Sequence, residues 1–553
     1  MSPPWDTYDL CTIDRHCTDP EFPSCRHLAD AENHPDLALL AAPLEHPAAP
    51  SGGNSGYFQR YVPLCTDGSG DHEYSVLGDG VAPTCPEEEW VRCADGTRPF
   101  YFIKAGADGP SDEWLIWAGA GGHAIPGETA WASYLTEPSS YGLGVSPNNQ
   151  RGGLGGMFTD TLGGDPFTDW NRVFVETCTP DRFHGRTTAS MTAESIDCSD
   201  VNPDCEGILE PPRNDPDFSY DVHLHGALIV EAVLEDLALG VSTYSDHTPG
   251  SAVVAHELPA MSDADRVLLT CHSNACNGLH QTLDDRAEKI ATFAPQADVR
   301  GVFNNFFTAT IVGEWAVDET TGDGEIIDDR SIYDQVTTGQ SIATDVEGGL
   351  AEMSLATWQP GGTQWFSLSL YGAELDSSCV AFHAADTAVC RDSTHVLFNH
   401  LNTPFFYNFA QTDRSVIQGG GVLSPYCEMT PGDRESCYFD GVEQAWQQMV
   451  RKQAADLVFL GATDRCEADS GAAPYDGIVL WGPRWSSHEG WHNDQTIAHQ
   501  LSLDGGPPRT LRAAVRRWVD TDGVRALMME GDPNVHGSAS NASLGARPVA
   551  HIP

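Results

Sequence analysis

The sequence predicts an α/β protein, a mainly parallel sheet with helices on both faces. Three observations predict it. Strand-like apolar runs alternate with segments of helical period from about residue 93 onward. The stretch Arg266–His280 passes from an apolar run, Val267–Leu269, through a sharp turn of small and polar residues centred on Ser273, and then into helix-like sequence over Gln281–Phe293. An early apolar strand, Glu113–Ala118, runs straight into the glycine-rich segment Gly119-Ala120-Gly121-Gly122-His123.

Residues 1–84 read as a cysteine-containing N-terminal extension, with a linker-like Ala/Pro/Gly stretch over Ala41–Gly56 and little periodicity of either kind. The expected main α/β domain, the one that carries the chemistry set out below, spans residues 85–530. Its first strands are Phe100–Lys104, after the turn Asp95–Gly96, and Glu113–Ala118. Gly142–Asp169 is Gly/Asn/Asp-rich and reads as a surface loop, and Trp170–Cys178 as the next strand. Tyr220–Val241 carries the clearest helical period: Leu224, Ala227, Leu228, Val230, Val233, Leu234 and Leu237 form one apolar face, with Glu231, Glu235 and Asp236 outside it. The elbow-like stretch follows, then a strand over Val299–Phe306. From about 307 to 394 the alternation is interrupted, as by an insertion or lid. Its acidic segment Val317–Asp329 lacks EF-hand spacing. Strand material resumes at Pro404–Asn408, Asp456–Leu460 and Gly477–Gly482, and helices are expected over Gly441–Ala455 and Thr510–Val519. Residues 531–553 read as a loose tail.

Composition limits the function classes. The chain has 29 basic and 80 acidic residues, a net charge of −51. A nucleic-acid partner is disfavoured, because binding would require Lys and Arg to neutralise phosphates. Anionic polymers and membrane surfaces are repelled as well. The spread of acid along the chain fits a solvated surface that aids solubility, as in a salty habitat. No run of about 18 apolar residues suggests a transmembrane helix. The 16 cysteines are even in number, sit mostly in loop-like sequence and show no paired CxxC spacing. They point to disulfides in an oxidising compartment, so a secreted, cell-envelope or periplasmic location is expected. The start, MSPPWDTYDL, lacks the charged and apolar regions of a leader, and the expectation is that a leader has been removed.

The chemistry is carried by residues far apart in the chain. A serine nucleophile needs a base, and the base needs a carboxylate to hold its tautomer. Ser273, Asp413 and His488 occur in the order Ser, Asp, His found in α/β-hydrolases, each after a strand-like run. The glycine-rich turn at Gly121 and Gly122 leaves backbone N–H groups unobstructed, as an oxyanion hole requires. The serine turn departs from the G-x-S-x-G pattern, with Cys271 and Ala275 at the glycine places. Both substitutes are small, as the crowded turn demands. Two other readings stay open. His488-Glu489-Gly490-Trp491-His492 matches the HExxH zinc signature, though Pro483 upstream and Gly490 within it oppose the continuous helix that motif needs. The chain could also be a binding protein that keeps a hydrolase scaffold without its activity. His223 and His225, at the expected start of a helix, read as structural or pocket-lining.

Several stretches together resemble the pectin acetylesterase and Notum carboxylesterase family of α/β-hydrolases, collinearly from about Cys93 to Val519. WLIWAGAGGHA resembles that family's strand and oxyanion segment, and DWNRVFVETCTPDRFHG its most specific stretch. LHGALIVEAVLEDLALGV resembles its helix. VLLTCHSNACNG stands at its elbow, TPFFYNFAQTD at its aspartate and RWSSHEG at its histidine. The resemblance implies Ser273 as nucleophile, His488 as general base and acid, and Asp413 as its orienter. It implies amides at Gly121, Gly122 and Asn274 as the oxyanion hole, and no metal or organic cofactor. The expected substrate is an acyl ester, with an acetylated glycan weighted by the family; the acidic charge argues mildly against a polygalacturonate backbone. Where the family has a tryptophan after the glycines, this chain has His123, and the elbow lacks both flanking glycines. A Cys271–Cys276 link, separate pairings and free thiols are all compatible with the elbow sequence.

Overall fold

The computed structural model describes chiefly residues 90–119, 167–192, 219–240, 260–304, 372–410, 478–482 and 509–529, with short gaps, and a few pieces outside them. The chain divides into two compact units. Unit 1 comprises residues 1–152, 171–264 and 366–374, and unit 2 comprises 153–170, 265–365 and 375–553.

Unit 1 is built on the strands β1 (Phe58–Tyr61), β2 (Phe100–Lys104), β3 (Glu113–Ala118) and β4 (Asn171–Val175). β3 and β4 pair in parallel, while β2 pairs antiparallel with both β4 and β1. The runs FYFI, WLIWA and NRVFV are buried almost without alternation, the pattern of strands covered on both faces. β2 and β3 have the limits expected from sequence. Next come the antiparallel strands β5 (Thr187–Thr192) and β6 (Ser219–Leu224), and the helix α1 (Gly226–Leu239).

The expected helix over Tyr220–Val241 is therefore corrected at its start. Its first residues form β6, and the helix begins only at Gly226. Leu224 extends the helical apolar period backward, but its backbone pairs with Thr187 in the ladder. Ile229, Val230, Val233, Leu234 and Leu237 are buried, and Tyr101 of β2 donates a 2.6 Å hydrogen bond from its hydroxyl to the buried Asp236. The Cys93–Cys178 disulfide ties the segment before β2 to the segment after β4.

Among the described residues, unit 2 contains five parallel strands whose order in the sheet follows the chain: β7 (Arg266–Cys271), β8 (Asp298–Asn304), β9 (Phe405–Asn408), β10 (Val479–Gly482) and β11 (Ala526–Met529). Helix α2 (Ala275–Phe293) makes the crossover from β7 to β8. It packs closely, since a Cβ at Gly301 would lie 2.5 Å from Leu283 Cδ2. A short helix, α3 (Ser377–Phe382), precedes β9, and α4 (Leu511–Val519) lies between β10 and β11. Thr510 caps α4 by accepting from the Ala513 amide. Arg300 of β8 donates to the Trp518 carbonyl at 2.7 Å and stacks over the Trp518 ring, anchoring that helix.

Mainly parallel strands with crossover helices are the expected α/β arrangement, compatible with an α/β-hydrolase-like fold. The acidic stretch after Thr308 includes an antiparallel pairing of Trp315–Val317 with Gly324–Ile326. The helix expected over 441–455 and the strand expected over 456–460 lie outside the described residues. Among the described residues, no helix is long and apolar enough to cross a membrane.

Candidate active site

The site is best built outward from the carboxyl end of β7. The buried run Val267–Cys271 ends at His272, which is also buried, and the chain reverses at Ser273. Ser273 has φ of +55°, the left-handed region that costs an L-residue about 1–2 kcal/mol. Its amide donates to the Asn304 carbonyl at 2.9 Å, and its carbonyl accepts from the Cys276 amide at 2.9 Å. The turn is thus bound to the neighbouring strand on one side and opens α2 on the other. The side chain of Ser273 is half-buried, while Cys271, Ala275 and Cys276 around it are fully buried. A strained strand-to-helix turn with a serine at its tip is the geometry of a nucleophile elbow.

What stands in for the missing glycines is now visible. Cys271 and Cys276 form a disulfide that closes the elbow across its base. Asn304 at the end of β8 completes the support. Its side-chain N–H donates to the Cys271 carbonyl at 2.9 Å, and its Oδ1 accepts from the Asn408 side chain at 3.3 Å. Asn304 and Asn408 are register partners on adjacent strands and both are buried. Sequence reasoning read both only as strand residues. An asparagine ending two apolar strands in succession is the signal that could have found them.

Of the other site residues expected from sequence, Asp413, His488, Gly121, Gly122 and Asn274 lie outside the described residues, as does the whole of His488–His492. The described chain reaches Gly119, whose amide donates to the Val175 carbonyl and whose carbonyl accepts from Thr177 Oγ1 at 3.0 Å. A Cβ at Gly119 would lie 3.2 Å from Thr177 Oγ1 and 3.3 Å from the Phe174 ring, so the turn out of β3 starts in tight quarters. β9 ends at Asn408, five residues before Asp413, and β10 ends at Gly482, six before His488.

The described histidines near helix starts are structural. His223 is the penultimate residue of β6 and His225 precedes α1, so neither lies within a helix, and their rings are 5.4 Å apart. His225 Nδ1 accepts from the Arg92 amide at 3.2 Å, which puts its proton on Nε2, facing Thr188 Oγ1 at 3.2 Å. The Thr188 hydroxyl can then donate to His223 Nδ1 at 2.9 Å. This chain needs both rings neutral. Burial, then the neighbouring His225 and Arg92, lowers His223 to about 3; burial and Arg92 lower His225 to about 4. His280, on α2 behind the elbow, packs edge-on to Phe303 and is lowered to about 3 by burial, so it is a core residue rather than a base.

A second strained turn lies in unit 1, where Arg182 and Phe183 have φ of +58° and +61°. Asp181 organises it. Its carboxylate accepts from the Gly226 amide at 2.7 Å, from Thr179 Oγ1 at 2.9 Å and from the Phe183 amide at 3.0 Å. The Gly226 amide is an otherwise open donor at the start of α1, so Asp181 caps that helix from 45 residues away. Burial nevertheless raises the Asp181 carboxyl above its ordinary 3.8, with these hydrogen bonds opposing the shift.

Comparison with known families bears on this same turn. The family model for pectinacetylesterase matches residues 84–241. This stretch is similar to the pectinacetylesterase family. It carries β2, β3 and β4, the Asp181 turn and α1, and it includes Gly121 and Gly122. The match supports the resemblance to the pectin acetylesterase and Notum family over this part of the chain. It ends before Ser273, Asp413 and His488. A search among curated proteins finds no match.

Proposed function

We propose that this protein is a secreted serine carboxylesterase that removes an acyl group, expected to be acetyl, from an ester of a carbohydrate. The observation that carries the reading is the elbow: Ser273 sits at a left-handed φ of +55° between a buried parallel strand and its crossover helix. Its side chain is half-exposed although its neighbours are buried. Strain of this kind, over-determined by a disulfide and an asparagine, is what holding a nucleophile forward requires. The pectinacetylesterase match over residues 84–241 supports the ester class independently of the elbow.

In this mechanism Ser273 Oγ attacks the ester carbonyl as His488 takes its proton, and Asp413 holds the imidazole in the tautomer that can do so. The tetrahedral oxyanion is held by the amides of Gly121, Gly122 and Asn274. His488 then protonates the departing alcohol, leaving an acyl-enzyme that water, activated by the same imidazole, hydrolyses. None of these steps calls for a metal. The net charge of −51 disfavours a polyanionic substrate backbone and favours a neutral acetylated glycan. The three disulfides among the described residues fit passage through an oxidising compartment.

The test is active-site labelling by a fluorophosphonate probe, alongside hydrolysis of nitrophenyl acetate and of acetylated neutral glycans. Labelling of Ser273 that disappears in Ser273→Ala supports the reading. A folded wild-type protein that neither labels nor cleaves any of these esters overturns it.

A further inference from the structure

A second cluster of reactive side chains lies in unit 2, around α3, and no step of ester hydrolysis uses it. Cys379 on α3, His383 at its C-terminal end and His400 offer ligand atoms that all lie within 4.8 Å of one another. Cys379 is joined to Cys390 by a disulfide, so its reduction would free a second thiol next to this group. Cys379 and His383 are four residues apart, one helical turn, and the His383 amide donates to the Cys379 carbonyl at 2.8 Å, which fixes their relation. His400 is placed by its own amide, 2.9 Å from the Val396 carbonyl. Val396, Cys379 and Cys390 form a small buried apolar cluster beneath.

We propose that Cys379, His383 and His400 are the core of a latent zinc site, completed by Cys390 once its thiol is free to rotate in, and mutually exclusive with the Cys379–Cys390 disulfide. Two thiolates and two imidazoles are the ligand set of a closed, tetrahedral structural zinc site. The hydrogen bonding around His400 suits it to that role. The Ser378 hydroxyl donates to Asp376 Oδ1 at 2.7 Å, so its oxygen is left to accept from His400 Nδ1 at 3.2 Å. That places the His400 proton on Nδ1 and the lone pair on Nε2. A carboxylate that fixes a histidine tautomer, here through one hydroxyl, is the outer shell metal-ligating histidines ordinarily have. Asp376 is itself fixed, also accepting from the Cys379 amide at 2.8 Å. The site has a way in, because His383 is only half-buried and Phe382 beside it is 51% exposed.

In the oxidised protein Cys379 is not a ligand. A dithiol reductant opens the site: it transfers two electrons and two protons to the Cys379–Cys390 bond, giving two thiols, and becomes a disulfide itself. Zn²⁺ then displaces both thiol protons. The two sulfurs must separate from bonding distance to the edge of a tetrahedron with Zn–S bonds of about 2.3 Å, roughly 3.8 Å. The Cα atoms of the two cysteines are 5.7 Å apart, and the proposal has the sulfurs separate by rotation of the two side chains.

The test removes the disulfide without reductant, leaving the other pairings intact. Full-length Cys390→Ala keeps Cys379, His383 and His400 as three ligands. It is expected to retain about one equivalent of zinc after desalting and to give a thiolate-to-metal charge-transfer band with Co²⁺, where oxidised wild type does neither. Affinity is expected to fall at least tenfold in Cys390→Ala/His383→Ala and in Cys390→Ala/His400→Ala. A folded Cys390→Ala that holds no zinc, or double variants that hold it equally well, overturns the proposal. A readout that does not depend on that variant folding is oxidative refolding of wild type with and without zinc, followed by differential alkylation. Zinc should keep Cys379 and Cys390 as thiols while Cys93–Cys178 forms. Equal formation of Cys379–Cys390 in both conditions also overturns it.

Discussion

Among the described residues, two turns have residues other than glycine in left-handed backbone, and they are held by opposite means. The elbow at Ser273 in unit 2 is clasped by a disulfide across its base and a backbone bond to Asn304. The turn at Arg182 and Phe183 in unit 1 is organised by one buried carboxylate, Asp181, which spends its acceptors on backbone and hydroxyl donors and on the start of α1. Both strained residues of the unit 1 turn are buried. Ser273 alone keeps its side chain half-open. Strain by itself therefore does not mark a reactive residue. Strain that holds a hydroxyl forward is what the proposed nucleophile needs, while strain buried around a hydrogen-bonded carboxylate serves the scaffold.

The comparison can be broken in several ways. The largest expected effect is Ser273→Ala, which should lower kcat for ester hydrolysis by about 10³-fold or more and leave the denaturant midpoint nearly unchanged. A variant that keeps most of the activity would put the nucleophile elsewhere. Gly226→Ala should act the other way, destabilising the protein by about 3 kcal/mol or preventing folding. Its Cβ would lie 2.2 Å from Asp181 Oδ1 and 2.7 Å from Phe183 Cα. A wild-type melting temperature in that variant would mean the turn is looser than described. Replacing Cys271 and Cys276 together by alanine opens a short loop, so about 2 kcal/mol should be lost. If activity falls no further than that loss of stability explains, the disulfide is not what aims Ser273. Ser273→Gly should remove the backbone strain and raise stability by about 1 kcal/mol while abolishing activity, as read by thermal melts and nitrophenyl acetate turnover.

The smallest effect at neutral pH concerns the neutral histidine pair. His223 and His225 have folded values of about 3 and 4, below the unfolded 6.5. Their contribution is fully present above pH 6.5 and is lost as the pH falls through those values. The Asp181 carboxyl, raised by burial, has the opposite sign, favouring the fold below pH 3.8 and losing its contribution as pH rises. Denaturant midpoints of wild type and His225→Gln between pH 7 and pH 4 should diverge, with wild type the steeper. Parallel curves would mean the rings titrate normally.

Strands covered on both faces were the most legible part of the sequence. Phe100–Lys104 and Glu113–Ala118 are short apolar runs closed by polar or glycine residues, and both were read with their observed limits. Helix starts were less legible, because the period of α1 continues into β6 through Leu224, and only strand pairing decides where one ends. Cysteine pairing was illegible at long range. Cys93 has Cys85 for a sequence neighbour but bonds to Cys178, 85 residues away, and nothing local encodes that. The elbow was half-legible. Cys271 and Ala275 weakened the serine motif, yet with Cys276 closing the loop the same cysteine is part of its support. Asp181, Asn304 and Asn408 escaped notice because a buried polar residue in an apolar run declares its partners only in three dimensions.

The amide chain from Asn408 through Asn304 to the Cys271 carbonyl ties three adjacent strands together at their carboxyl ends. Those ends are the points from which the segments after β7, β8 and β9 depart. Because the footing is fixed by side chains within the sheet, a later segment can gain or lose residues, or change its sequence altogether, without resetting the strands beneath. In evolutionary terms the two side-chain amides separate two inheritances. The frame beneath Ser273 can be passed on unchanged while the segments that leave it are rewritten.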